Sequence, residues 1–258
     1  MRGRVLALSL AALFVASGAC TREPAIDLRV PTRQYKAKEY ARVLKRWTRH
    51  RRIIKNFDTN LSVHVTYLSP EFVTAHAALY AKHYRLSRAE RQRYLAKRLA
   101  EVRSHHEFFM GVTTADPSWN DFDRRSSIWR ITLEDDKGTR VKPLTVKNIT
   151  IKETHRTYFP YLSVFHRAYH VIFPKQVGGR PFITPQSRWF KLIIASPLGS
   201  TELAWFVRSR GRPRRGAPPP RSEPRPEPRP EPAGRSDAPG PRPETTPPRR
   251  PADAPAPR

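Results

Sequence analysis

The sequence predicts an α+β fold: an antiparallel β-sandwich of about seven strands, with an N-terminal helix and a helical hairpin that is inserted between the first two strands or covers one sheet. Three observations carry this. From Phe108 to Val207 the apolar residues recur mostly at a spacing of two, in short runs parted by turn residues. Between Ser69 and Ser104 the spacing lengthens towards 3.6 and two helix-start signals occur. After Val207 no apolar side chain larger than Ala appears outside proline rings, which bounds the domain.

Taken in order, Tyr35 to Lys55 predicts a helix. Tyr40, Val43, Leu44, Trp47 and Ile54 form its apolar stripe, and Lys36, Lys38, Arg42, Lys45, Arg46, Arg49 and Arg52 form the other face. Arg42, Lys45, Arg46, Arg49 and Arg52 are the candidates for contact with an anionic surface. Each would contribute about 1 kcal/mol near anionic head groups. The competing reading is a solvated face on a helix that packs its stripe against the domain.

Leu61-Ser-Val63-His-Val65-Thr-Tyr67 alternates and predicts a half-buried strand. Ser69-Pro70 supplies an N-cap hydroxyl and a proline at the first helical position. Phe72, Ala75, Leu79 and Tyr80 then face inward. Ser87-Arg-Ala-Glu90 is a capping box, and Leu95, Leu99 and Val102 are the stripe of a second helix. Strands follow at Phe108–Thr113 and Ile128–Glu134, with Asp135-Asp-Lys-Gly138 as a hairpin turn into Thr139–Leu144. Pro143 demotes that last piece to an edge. Further strands are expected at Val146–Ile151, Phe165–Phe173, Trp189–Ala195 and Leu203–Val207, with Pro197-Leu-Gly199-Ser turning the last two.

From Arg208 the composition shifts to Pro, Arg, Glu, Ala and Gly, with a near repeat at Glu223-Pro-Arg-Pro-Glu-Pro-Arg-Pro-Glu-Pro232. Such a stretch cannot offset its ordering entropy by burial, so a disordered tail with polyproline character is expected over 208–258. Its charged proline repeats are similar in composition to the periplasm-spanning linkers of energy-transducing proteins. That resemblance implies a protein partner for the tail; the competing reading is a low-complexity tail with no fixed partner.

No catalytic, metal-ligating or cofactor-binding constellation is expected. His105-His106-Glu107 is the densest titratable group, but on a strand His106 points away from the other two. His166 and His170, four apart on a strand, are about 13 Å apart and cannot share a metal. His76 and His83 share a helix face two turns apart, and His76 reads as half-buried packing. Asp121, Asp123, Asp135 and Asp136 lie in two loops beside Arg124 and Lys137, where solvated turns are the plainer reading. Trp119, Trp129, Trp189 and Trp205 read as core. The zinc spacing H-E-x-x-H, the nucleophile elbow G-x-S-x-G, the phosphate-cradling glycine loop and the dinucleotide fingerprint are absent.

The leader comes last because it decides location. Arg2 and Arg4 precede an apolar run from Val5 to Val15, which ends in Ala16-Ser-Gly-Ala19 and then Cys20. This is the three-part layout of a secretory signal, and its core is too short to span a bilayer. Gly18-Ala19-Cys20 resembles the end of the lipobox of bacterial lipoproteins, with Ser17 where leucine is commonest. The resemblance implies cleavage of residues 1–19, lipidation at Cys20 and a membrane anchor. Thr21 in place of an aspartate implies, by the same resemblance, the outer membrane, facing the periplasm. More than one acyl chain is needed for stable anchoring. A single cysteine also excludes an internal disulfide framework.

The expected organisation is therefore leader 1–19, lipidated cysteine and tether 20–34, one domain 35–207 and tail 208–258. The net charge of +27 would suggest nucleic acid in the cytosol. Export makes no nucleic-acid partner expected and points instead to anionic envelope components: lipid head groups, lipopolysaccharide and wall polymers. The functional expectation is an envelope lipoprotein with a binding or scaffolding role. The alternatives are an envelope hydrolase using loop Asp and His residues, or an assembly factor that binds client strands at a sheet edge.

Overall fold

The structure is a computed structural model and describes residues 23–55 and 57–208. The leader, Cys20 and the proline-rich stretch from residue 209 lie outside the described residues. The fold is α+β. In chain order it runs α1 (Tyr40–Trp47), β1 (Thr48–Lys55), β2 (Asp58–Tyr67), α2 (Pro70–His83), α3 (Arg88–Ser104), β3 (His105–Thr114), β4 (Arg130–Asp135), β5 (Arg140–Val141) and β6 (Thr145–Ile149). It continues through α4 (Glu153–Tyr158), β7 (Arg167–Pro174), β8 (Gln176–Val177), β9 (Arg180–Pro181), β10 (Trp189–Ser196) and β11 (Gly199–Phe206).

Two antiparallel sheets face each other, in the orders β1-β2-β3-β7-β6 and β11-β10-β4-β5, and β8-β9 form a small ribbon. Alternation sorts the side chains. Val63, Val65 and Tyr67 of β2, Phe108, Met110 and Val112 of β3, and Tyr169, Val171 and Phe173 of β7 are all buried. They meet Phe190, Leu192 and Ile194 of β10 and Leu203 and Trp205 of β11. The Phe108–Trp205 ring centroids are 5.5 Å apart and those of Tyr67 and Phe190 are 5.1 Å apart. Each large apolar side chain buried there contributes roughly 1.5–3 kcal/mol.

The hairpin of α2 and α3 sits between β2 and β3, as the capping signals predict. Ser69 Oγ accepts from the Phe72 amide at 3.0 Å, and Ser87 and Glu90 complete their reciprocal box. Glu71, in the first turn of α2, is buried. It accepts hydrogen bonds from Tyr35 Oη at 2.7 Å, Trp47 Nε1 at 2.8 Å and Arg46 Nη1 at 2.5 Å. One carboxylate thus ties α1 and the segment before it onto α2.

The helix expected over Tyr35–Lys55 is corrected. It ends at Trp47, and Thr48–Lys55 is β1, paired with β2 from Thr48↔Thr66 to Lys55↔Asp58. Trp47 and Ile54, seven apart, share a helix face but not a strand face, which drew the helical reading; β-branched Thr48, Ile53 and Ile54 favour a strand once β2 offers a partner. Ile53 is the buried isoleucine, while Ile54 is 63% exposed. Arg49 consequently turns inward and is buried, with Nε donating to the Ala204 carbonyl at 2.7 Å. Arg52 stays exposed, on a strand and not on a helix.

Three smaller differences follow. The strand expected from Phe165 begins at Arg167 and leaves Phe165 82% exposed. The piece expected at Thr139–Leu144 shrinks to Arg140–Val141 before Pro143, and α4 fills a stretch with no periodic signal. Part of the expected tether is fixed structure. The Ile26 amide bonds to the Phe206 carbonyl at 2.8 Å, the Arg208 amide bonds to the Ile26 carbonyl at 2.7 Å, and Ile26 is 1% exposed. A lone isoleucine between prolines carries no periodicity, so its burial was not legible.

Candidate functional site

The outer face of the five-stranded sheet carries the candidate site. Phe109 of β3, His170 of β7 and Ile149 of β6 point away from the sandwich core and form the floor of a pocket of about 510 Å³. α2 supplies one wall through Phe72, His76 and Tyr80, spaced by four so that they lie on one face, and Tyr84 at its C-cap extends it. Tyr94 and Arg98 of α3 and Tyr158 at the end of α4 close the other sides. The size falls in the range of small-molecule sites.

The rings stack on one another. Tyr80 and Tyr94 lie 4.4 Å apart and nearly parallel, and Tyr80 and Tyr84 are 4.3 Å apart. His76 packs 4.5 Å from Tyr158. The Tyr158 side of the pocket is placed by the stretch that follows it, which crosses the sheet above Gly111. A Cβ at Gly111 would meet Leu162 Cδ2 at 2.6 Å and the Tyr161 ring at 3.1 Å. Tyr161 stacks on His64 at 4.9 Å, and its hydroxyl shares a hydrogen bond with Thr66 Oγ1 at 2.9 Å.

The pocket presents neutral rings. Burial, with the Arg98 charge added, holds the His76 imidazole down to about 4. Burial likewise lowers His155 and pushes the Tyr158 phenol up to about 12. The polar groups are already partnered: Arg98 pairs with Glu101, and His170 Nε2 is 3.0 Å from Glu107 Oε2. Burial pushes the Glu107 carboxyl upward, but the hydrogen bond and charge of His170, with Arg98 and His105, outweigh it and hold it below the ordinary range.

Other expected candidates are placed separately. His106 is buried on the opposite face of β3, its Nδ1 sharing a hydrogen bond with Tyr67 Oη at 2.8 Å, with Lys175 Nζ 3.4 Å away. Burial lowers His106 and takes Lys175 down to about 8. His166 precedes β7 and sits 5.9 Å from His64, which in turn stacks on His50 at 4.1 Å. Asp121 accepts from Ser127 Oγ at 2.8 Å, Asp135 holds the amides of Lys137 and Thr139, and Asp136 receives Arg188. These acids hold turns, and none lines the pocket. Trp129 and Trp205 are buried, while Trp119 and Trp189 are half-buried. Among the described residues no group of three or more His, Cys, Asp or Glu is arranged to hold a metal ion. No described helix is long and apolar enough to cross a membrane.

The basic candidates meet by an unexpected route. Arg42, Lys45 and Arg46 of α1 and Arg49 of β1 line one groove of about 350 Å³ with Glu23, Pro24, Thr48 and His50. Arg52 does not line it. Cys20 lies outside the described residues. The tyrosine pocket itself was missed, although Phe72, His76, Tyr80 and Tyr84 at intervals of four were a readable signal.

Fold and pocket define a class in broad terms: an α+β domain with a two-sheet core and an aromatic cavity beneath a helical hairpin. Comparison takes this no further. No protein-family model matches the chain, and no curated protein does. A crystal structure from Burkholderia pseudomallei, described as a novel protein of unknown function, is 11% identical and covers 68% of this chain and 93% of its own, with a TM-score of 0.33. A likeness of that size carries no argument about function.

Proposed function

We propose that the chain is a cell-envelope lipoprotein, anchored through Cys20, that binds rather than transforms its ligand. The ligand is an uncharged, planar ring-bearing molecule held in the tyrosine pocket. The observation that supports this is the pocket's lining: stacked tyrosines and the burial-lowered, neutral imidazoles of His76 and His155, with Arg98 already paired to Glu101. Aromatic walls reward flat apolar groups through stacking, at about 0.5–1.5 kcal/mol per ring pair beyond area burial.

N-phenyl-1-naphthylamine, an uncharged probe that fluoresces when desolvated, tests the proposal. One probe per chain is expected to bind saturably. Tyr158→Ala should weaken it roughly tenfold, the loss of about 1.4 kcal/mol. Ile149→Trp, which fills the pocket from a half-buried position on its floor, should abolish it while thermal unfolding stays cooperative. Unsaturable binding, or binding indifferent to both substitutions, would remove the proposal.

Glu107 and His170 give a second reading. A carboxylate that orients an imidazole at a pocket floor is the arrangement of a general base. Of the loop acids of the hydrolase alternative, Asp121, Asp135 and Asp136 are held by Ser127, by the amides of Lys137 and Thr139, and by Arg188, while exposed Asp123 lines a separate groove with His166. Glu107 and His170, 3.0 Å apart, are the acid and imidazole in direct contact. Loss of any pH-dependent turnover in His170→Gln would support it.

A further inference from the structure

We propose that the groove between α1 and β1 seats the domain on the anionic head groups of the bilayer that holds Cys20. This rests on the reading of Cys20 as lipidated.

The first support is the length of chain available. Glu23 is held by Arg49 at 2.6 Å and Arg51 at 2.7 Å, and Ile26 is bonded to β11 at 2.8 Å. Only the stretch from Cys20 to Glu23 remains, three residues that span at most about 10 Å. A lipid on Cys20 therefore brings Glu23, itself part of the groove lining, close to the membrane surface. Charges at about 8–10 Å are still felt at physiological ionic strength.

Charge is the second support. Arg42, Lys45, Arg46 and Arg49 line the groove, against one lining carboxylate, Glu23. Arg42 is 3.0 Å from Glu39, Arg46 is 2.5 Å from Glu71, and Arg49 takes Glu23. Lys45 is exposed and drawn into none of these pairs, and Arg51 and Arg52 flank the groove on β1, both exposed. The hydroxyl of Thr48 and the ring of His50 add hydrogen-bonding groups. A concave surface that keeps a cationic excess, with Lys45 and Arg52 outside these pairs, suits phosphodiester head groups beside the anchor. The third support is the exit of the chain: Arg208, where the proline-rich stretch begins, is bonded to Ile26 at 2.7 Å. Both covalent routes out of the domain leave at this seam.

The test uses the mature full chain with Cys20→Ser, so that no lipid contributes. Flotation is measured with vesicles of mixed phosphatidylcholine and phosphatidylglycerol, and with phosphatidylcholine alone. Binding only to the anionic vesicles is expected. Arg42→Gln with Lys45→Gln should weaken it by roughly tenfold or more, at about 1 kcal/mol for each charge. Arg93→Gln with Lys97→Gln, on exposed positions of α3 that do not line the groove, removes the same charge and should change binding by less than about threefold. Equal losses in the two variants, no loss in either, or binding to neutral vesicles would overturn the proposal. So would displacement by millimolar inorganic phosphate, which would make the groove a site for a soluble anion. The mass of the cellular protein reports on the anchor separately, so a chain with an unmodified thiol would remove the lipoprotein reading without touching the vesicle contrast.

Discussion

Glu71→Ala is expected to cost about 3–5 kcal/mol, chiefly because two buried donors lose their acceptor at about 1–3 kcal/mol each. Three donors lose their acceptor together. Tyr35 Oη and Trp47 Nε1 are left buried without a partner, and Arg46 loses its counter-charge. An unsatisfied buried donor costs about 1–3 kcal/mol. In a domain of this size each kcal/mol lowers the unfolding midpoint by about 2–4 °C, so a drop of about 10 °C is expected. Glu71→Gln keeps the shape and one accepting oxygen but brings an amide N–H towards a donor, so it should recover only about half of the loss. Thermal and urea unfolding of the three chains measure this. A loss below about 1 kcal/mol for Glu71→Ala would mean that α1 does not dock through this carboxylate.

Acidification is the second large expectation. His64 and His76 are each held down to about 4 in the folded chain, against an ordinary value of 6.5. Burial is the main cause for both. The charges of His50, His166 and Arg52 add to it at His64, and that of Arg98 at His76. Burial pushes His106, His50, His155 and His166 in the same direction. A folded value below the unfolded one means that the unfolded chain binds more protons between them, so stability falls as pH drops. The contribution is fully present above pH 6.5 and is lost as pH falls towards 4. Unfolding in that window should take up about two protons from His64 and His76 alone. His64→Gln should reduce the slope of the midpoint against pH by about one proton. Glu39, Glu90 and Asp116 are held low by local hydrogen bonds, so their contribution is lost only as pH falls further. A midpoint that stays flat from pH 6.5 to 5 would contradict neutral burial of these rings.

The parts legible in the sequence were those set by local chemistry. Ser69-Pro70 and Ser87 to Glu90 start helices because a hydroxyl can reach an amide three residues on, and no distant contact is needed. Alternation in Leu61–Tyr67 and Trp189–Ala195 likewise sorts core from surface without help. The rest depends on pairing across the chain. Thr48–Lys55 reads as helix or strand until β2 is beside it, and that choice turns Arg49 from a surface cation into a buried one. Ile26 is buried only because β11 ends next to it. The pocket was legible in part, as ring residues spaced by four on α2. Its other half comes from Tyr94, Tyr158 and His170, which the fold gathers from three distant segments. Gly111 shows the same limit. As a glycine in a strand it signals a close approach, but Tyr161 and Leu162 as the approaching residues are visible only in three dimensions.

The most direct measurement is the intact mass and N-terminal peptide of the protein purified from its own cells. The expected chain begins at Cys20 and carries acyl chains on that residue, which places Glu23 and the basic groove beside a bilayer. A chain that still begins at Met1, or one that carries a free thiol at position 20, would contradict the anchor, and with it the envelope location and the choice of ligands.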